Sequence, residues 1–192
     1  MTARSLEPDY FDALYAADPD PWRFATSAYE DAKYDATIAA LPAPRYRRGI
    51  EIGCSIGVLT GRLAERCDAL LGTDIAQAAL GAARLRCIAM PHVRFERAAL
   101  PDHVAAGPFD LIMLSELLYY FDAPTMPRIA EAIYSMARSG SDIVLVHWLG
   151  PTPDYPLDGD TAVMAFMAAA PWAEILDSER TTDYRLDVLR KT

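Results

Sequence analysis

Residues 51–57, Glu51-Ile52-Gly53-Cys54-Ser55-Ile56-Gly57, constrain this chain more than any other stretch. They follow an apolar strand pattern, open a helical one, and stand 17 residues ahead of an acid, Asp74, that ends a second strand pattern. Glycines at 53 and 57 permit a tight turn that brings bare backbone against a ligand, and an acid at the tip of the next strand can accept hydrogen bonds from both hydroxyls of a ribose. The spacing therefore predicts a βα unit with a nucleoside site at its mouth. The plain alternatives are an ordinary strand-to-helix turn for the two glycines and helix N-capping for Asp74.

The same alternation continues along the chain. Strand patterns fall at 48–52, 69–73, 93–97, 109–114 and 143–148, with helical patterns over 58–66, 76–87 and 125–138. Near-continuous apolar runs such as Phe109-Asp110-Leu111-Ile112-Met113-Leu114 suit a sheet covered on both faces. Residues 173–177 and 185–189 offer a closing antiparallel pair. Ahead of the sheet, 7–17 and 28–41 look helical, separated by Asp18-Pro19-Asp20-Pro21-Trp22. The expectation is an α/β chain with a mostly parallel seven-stranded sheet, an antiparallel C-terminal strand and an N-terminal helical cap. Residues 1–45 would form the cap and 46–192 the sheet, together one domain.

Composition narrows the function. The 192 residues, 52% hydrophobic, suffice for a proper core without disulfides or metal. Eighteen basic against 27 acidic residues give a net charge of −9, which repels nucleic-acid phosphates and anionic lipid headgroups. Cys54, Cys67 and Cys87 are odd in number and lie 13 and 20 residues apart, a pattern of neither a disulfide framework nor a zinc site. His92, His103 and His147 make no metal motif, so no metal is expected. Early acids at Glu7, Asp9 and Asp12 and the lack of any long apolar run predict a soluble, cytoplasmic protein.

Several stretches, in order, carry a resemblance: Asp20-Pro21-Trp22, Tyr29-Glu30-x-x-Lys33-Tyr34, Glu51 to Gly57, Gly72-Thr73-Asp74-Ile75, Phe109-Asp110-Leu111, Ser115-Glu116-x-x-Tyr119-Tyr120 and Val146-His147-Trp148. Spanning nearly the whole chain, they resemble the class I S-adenosylmethionine-dependent methyltransferases, in the branch typified by nodulation protein S, an N-methyltransferase. The resemblance implies a Rossmann-like class I methyltransferase fold and S-adenosyl-L-methionine as cofactor. A nicotinamide oxidoreductase, which also places a glycine-rich turn after strand one, would usually show Gly-x-Gly-x-x-Gly; here only two glycines stand, with an acid before them. A noncatalytic nucleoside-binding domain is the other alternative. The Tyr29-x-x-x-Lys33 spacing of short-chain dehydrogenases precedes the glycine loop and is read as coincidence.

The cofactor residues follow from this resemblance. Glu51 and the turn amides around Gly53, Cys54, Ser55 and Gly57 reach the methionine end, Asp74 takes the ribose, and Ile75 packs on adenine. Trp22 and Tyr29 offer aromatic faces to the sulfonium, with core packing as the rival reading for both. Relatives often place an acid just after strand three; this chain has Arg97-Ala98-Ala99-Leu100, leaving the backbone of Ala98 and Ala99, or Asp102, for the base. Ser115 completes the set at the end of strand four.

Methyl transfer is an in-line displacement, so the protein must hold a nucleophile about 3–3.5 Å from the methyl carbon and accept a proton. Glu116 and His147, at the carboxyl ends of strands four and five, are the candidates for general base or ammonium anchor; Tyr119 and Tyr120 shape an aromatic acceptor pocket. Capping of the next helix by Glu116 and a core role for His147 are the structural alternatives. The segment Asp154-Tyr155-Pro156-Leu157-Asp158-Gly159-Asp160 is either an overhanging loop or a solvated turn. An amine acceptor, with an amino sugar as one instance, is implied by the resemblance alone.

Overall fold

The apolar run ahead of the glycine loop is strand β1, Gly49–Ile52, and all four of its residues are buried. In this computed structural model, which describes residues 4–192, it lies in the first of two compact units, Glu7–Ala99. The second unit comprises Leu100–Thr192 together with residues 4–6.

The first unit begins with two helices, α1 (Pro8–Ala17) and α2 (Ala28–Ala39). Between them the Asp-Pro segment folds on its own side chains. The Asp18 carboxylate accepts from the Asp20 amide at 2.9 Å, and that of Asp20 from the amides of Phe24 and Ala25 at 2.8 and 2.9 Å. Such short-range acceptors satisfy the turn amides that no helix can. The Ser27 hydroxyl then caps α2 by accepting from the Glu30 amide. Next come β1, helix α3 (Val58–Ala64), β2 (Leu70–Asp74), α4 (Gln77–Arg86) and β3 (Val93–Arg97). The strands run parallel in the order β3-β2-β1, with Gly49 opposite Leu70 and Leu70 opposite Val93.

In the second unit, β4 (Phe109–Ser115) pairs in parallel with β5 (Ala137–Trp148). Between them run two 3-10 turns, Leu118–Tyr120 and Ala123–Thr125, and helix α5 (Met126–Met136). Met126, Ile129, Ala130, Ile133 and Met136 bury one face of α5 at helical spacing, while Leu111 to Leu114 and Ile143 to Val146 are wholly buried in the strands. Helix α6 (Gly159–Ala169) leads to the antiparallel strands β6 (Ala173–Arg180) and β7 (Tyr184–Lys191), and the order is β4-β5-β7-β6.

The fold class is thus the expected α/β arrangement, with seven strands and an antiparallel C-terminal pair. Two features differ from the sequence expectation. Strand β5 starts six residues early, because Gly140, at φ +82°, turns the chain and the Ser141 hydroxyl donates to the Phe109 carbonyl at 2.7 Å; the register shifts between Phe109 and Leu111 as a result. Helix α6 was unanticipated, and its cap is Asp158, which accepts from the Thr161 amide at 2.7 Å. Among the described residues, no helix is long and apolar enough to cross a membrane.

Gly57 holds the first βα unit closed. Its φ is +78°, and a Cβ placed there would meet the Ala83 Cβ at 2.9 Å and its Cα at 3.0 Å. The left-handed conformation costs an L-residue about 1–2 kcal/mol, and overpacking against α4 adds to it. Gly57→Ala should therefore lower unfolding free energy by about 2–4 kcal/mol, read as a lower urea midpoint at unchanged m-value.

Candidate functional site

In the first unit, β1 and β2 end side by side, and their last residues carry the polar groups that the sequence singled out. Left-handed φ values recur at every second position of the connecting loop: +78° at Gly53, +50° at Ser55 and +78° at Gly57. The amides of Gly53 and Cys54 both donate to the Thr73 carbonyl, at 2.8 and 2.9 Å, which ties the loop to the end of β2. Asp74 ties it again, its Oδ2 accepting from the Ser55 amide at 2.8 Å and its Oδ1 from the Ala76 amide at 2.9 Å. Each carboxylate oxygen has two acceptor sites, so both retain capacity for a ligand hydroxyl. Burial pushes the Asp74 carboxyl up, against the pull of the Ala76, Ser55 and Ile75 amides.

Glu51 is 2% exposed on β1, and its Oε2 accepts from the Thr60 hydroxyl at 2.5 Å. Burial raises its carboxyl from 4.5 to about 8; the Thr60 bond opposes that rise and the nearby Asp74 charge adds to it. A buried acid of this kind favours a cationic partner, which would supply the solvation that burial removed. Cys54 is also buried, and burial holds its thiol protonated.

The remaining first-unit candidates come from α1, α2 and the ends of β2 and β3. Trp22 meets the Tyr15 ring edge-on at 5.7 Å, and the Tyr15 hydroxyl shares a 2.5 Å hydrogen bond with the Ser55 hydroxyl. Tyr29 stands in the first turn of α2 with the Lys33 ammonium 5.1 Å from its ring centroid; Lys33 is buried and paired with Glu30 at 2.9 Å. Ile75 follows Asp74, and its carbonyl accepts from the Arg97 guanidinium. The Ala98 amide donates to the Asp74 carbonyl at 3.1 Å, and Ala99 comes next in the same half-buried loop. Asp102 falls instead in the second unit, where its carboxylate accepts from Arg128 at 2.6 Å.

In the second unit, Ser115 ends β4 and Glu116 follows it at φ +54°, a conformation a residue with a side chain adopts only when its surroundings enforce it. The Glu116 amide donates to the Val146 carbonyl, while its Oε2 accepts from the Tyr119 hydroxyl at 2.5 Å and the Trp148 amide at 3.0 Å. His147 is fully buried, and its Nε2 accepts from the Leu118 amide at 3.0 Å and more weakly from that of Leu117 at 3.4 Å. That nitrogen's lone pair therefore holds the first 3-10 turn in place. Tyr119 meets Tyr120 edge-on at 4.8 Å and stacks on Tyr155 at 5.2 Å. Burial first, then the neighbouring Glu116 for Tyr119 and Tyr155 for Tyr120, push both buried phenols well up, so they remain donors. The 154–160 segment is thus packed through Tyr155 onto this turn, and Asp158 within it caps α6.

Two participants escaped the sequence analysis. Thr60 lies one turn into α3 and Tyr15 within α1, and neither has a motif. Tyr155 was noted only as part of a loop. Among the described residues, no three His, Cys, Asp or Glu side chains group to hold a metal ion.

With this geometry in hand, comparison with known proteins gives a consistent result. The family profile described as Nodulation protein S (NodS) matches residues 11–147, most of the chain. The chain belongs to the NodS family. It is 33% identical to nodulation protein S of Bradyrhizobium diazoefficiens over 131 residues, covering 65% of this chain, and 29% identical to that of Sinorhizobium fredii over 127 residues, again 65%. The matches span 61% and 59% of those two NodS proteins. A methyltransferase candidate from Pseudomonas syringae, solved by crystallography, is 36% identical with a TM-score of 0.75, over 86% of this chain and 100% of that one. The N-methyltransferase NodS of Bradyrhizobium japonicum, in complex with S-adenosyl-L-homocysteine, superposes at a TM-score of 0.83 and 22% identity, over 95% and 97% of the two chains. The fold is Rossmann-like, of the methyltransferase type.

The raised Glu51 carboxyl has a measurable consequence. In the unfolded chain it ionises near 4.5, but in the folded chain only near 8, so the folded state binds the extra proton between those values. Stability that is fully present below the lower value is lost as pH rises through the upper one, at about 1.4 kcal/mol per pH unit. Glu51→Gln removes this loss. The difference in unfolding free energy between variant and parent should move in the variant's favour by a few kcal/mol from pH 5 to pH 8.5; a difference that is flat with pH would contradict the burial-driven shift.

Proposed function

We propose that this protein is an S-adenosylmethionine-dependent methyltransferase that transfers a methyl group to a small-molecule amine. The observation that carries this reading is the pairing of a buried, protonated Glu51 with a buried Asp74 across a loop built from left-handed residues. The donor set fits the cofactor. Its methionine end carries an ammonium that would draw the Glu51 carboxyl back to its ionised form, and its ribose offers two hydroxyls to Asp74. The loop has no third glycine of the kind that accommodates a pyrophosphate. Membership of the NodS family and the likeness to methyltransferases support the same reading, and nothing favours a nicotinamide enzyme or a noncatalytic binding domain.

When bound, the cofactor supplies a methyl group activated by a positively charged sulfur. The chain's own work is to bind, orient and handle the proton. Glu51, the loop amides around Gly53, Cys54, Ser55 and Gly57, and Asp74 would hold the cofactor, with Ile75, Ala98 and Ala99 at the base and Trp22 and Tyr29 completing its surroundings. An amine is protonated in neutral water and has no lone pair to offer until it gives up a proton. Glu116 is the group assigned to take it. Its carboxylate is aimed by Tyr119 and the Trp148 amide, and its strained backbone is the kind of feature that gathers at working sites. His147 spends its Nε2 on backbone amides and so holds the turn that carries Tyr119 and Tyr120. An amino sugar is the acceptor class to test first, because NodS proteins are the relatives.

The test is transfer of a labelled methyl group from S-adenosylmethionine to a panel of amines, amino sugars and hydroxy compounds. Methylation of an amine is expected. Glu116→Gln should lower turnover about 10²–10⁴-fold, the usual worth of a general base, and leave S-adenosylhomocysteine affinity within about twofold of the parent. Full turnover in that variant would remove Glu116 from the role, and transfer only to hydroxyl acceptors would overturn the amine reading.

A further inference from the structure

Ser55 occupies the apex of the cofactor loop at φ +50°, between two glycines at φ +78°. Glycine would hold this conformation without cost, whereas a serine there is disfavoured by about 1–2 kcal/mol. Something must hold it, and two contacts do. The Ser55 amide donates to Asp74 Oδ2 at 2.8 Å, and the Ser55 hydroxyl meets the Tyr15 hydroxyl at 2.5 Å in a buried contact. Tyr15 comes from α1, 40 residues earlier in the chain. Its ring is 6% exposed and packs in one cluster with Ile56 of the loop and with Ala76 and Ala79 at the start of α4, with Phe11, Trp22 and Val58 against it. The phenol is thus anchored on the loop and on the element following Asp74, the two parts whose relative position sets the carboxylate.

We propose that Tyr15 is a positioning residue of the cofactor site: through the Ser55 hydroxyl it holds the loop apex in its left-handed form, and thereby presents Asp74 to the ribose. The inference rests on the cofactor reading above. It explains why a serine stands where a third glycine would be easier, since glycine has no hydroxyl for Tyr15 to grip. It also gives α1 a task in the site beyond covering apolar surface. Burial, with the Asp74 charge behind it, raises the Tyr15 phenol, so it remains protonated and the pair keeps its hydrogen bond across the working pH range.

The test combines Tyr15→Phe, Ser55→Gly and the double variant, with two readouts. The first is hydrogen exchange of the Ser55 amide in the protein without ligand. Tyr15→Phe should accelerate it about fivefold to tenfold, the usual worth of one net hydrogen bond, and leave the amides of β1 and β2 as protected as in the parent. The second is calorimetric affinity for S-adenosylhomocysteine. Tyr15→Phe should weaken it by a similar factor in the parent, and by less than about twofold in the Ser55→Gly background, where the apex no longer needs a clamp. Unchanged Ser55 exchange in Tyr15→Phe would overturn the proposal. So would an equal loss of affinity in both backgrounds, which would put the phenol directly on the ligand, or a uniform loss of protection, which would make Tyr15 a packing residue only. A parent protein that takes up no S-adenosylhomocysteine would defeat the cofactor reading, while the exchange arm would still decide whether Tyr15 sets the apex.

Discussion

The Asp74 carboxylate, buried and accepting from the Ser55 and Ala76 amides, is the interaction on which the first unit's geometry depends. One oxygen fastens the loop after β1 and the other fastens the start of α4, so a single side chain fixes the gap between two parallel strands. Burying a charge is unfavourable unless donors replace water, and the Ser55, Ala76 and Ile75 amides supply part of that replacement. Glu51 follows the same logic with fewer donors: one hydroxyl from Thr60, and a carboxyl pushed to about 8 as the result. On the cofactor reading proposed above, the ligand's ammonium would return this acid to its charged form.

The second unit applies a different device. Glu116 stands at a backbone conformation that only its surroundings can maintain, and those surroundings are the Tyr119 hydroxyl, the Trp148 amide and the Val146 carbonyl. His147 accepts two amides through Nε2 and shapes the turn, the core role weighed for it from the sequence. The Glu116 carboxylate is oriented by the Tyr119 hydroxyl and the Trp148 amide, as the proton-accepting role proposed for it requires. Tyr155, arriving from the segment before α6, closes the stack over Tyr119 and makes the aromatic cluster continuous.

What the sequence made legible is local. Strand β3 was read with its observed ends, and β1, β2, β4 and helices α1 to α5 within a few residues, because each has a period or a boundary signal of its own. The early start of β5 was not legible, since it depends on Gly140 turning the chain and on Ser141 reaching Phe109, 32 residues earlier. Helix α6 hid because its Ala- and Met-rich run lacks a polar face to set a period, and its cap, Asp158, was counted with the loop before it. The candidate site divides in the same way. Glu51, Gly53, Gly57 and Asp74 announce themselves by spacing; Tyr15 and the structural task of His147 arise only when residues 29 to 40 positions apart are brought together by folding.

The central claim is that the carboxyl ends of β1 and β2 hold an adenosyl compound through Asp74 and Glu51. The most direct measurement is a crystal structure of the protein with S-adenosylhomocysteine. The account predicts both ribose hydroxyls on the Asp74 carboxylate and the ligand's ammonium against Glu51. The nucleoside bound elsewhere, or Asp74 making no contact with the ribose, would contradict it.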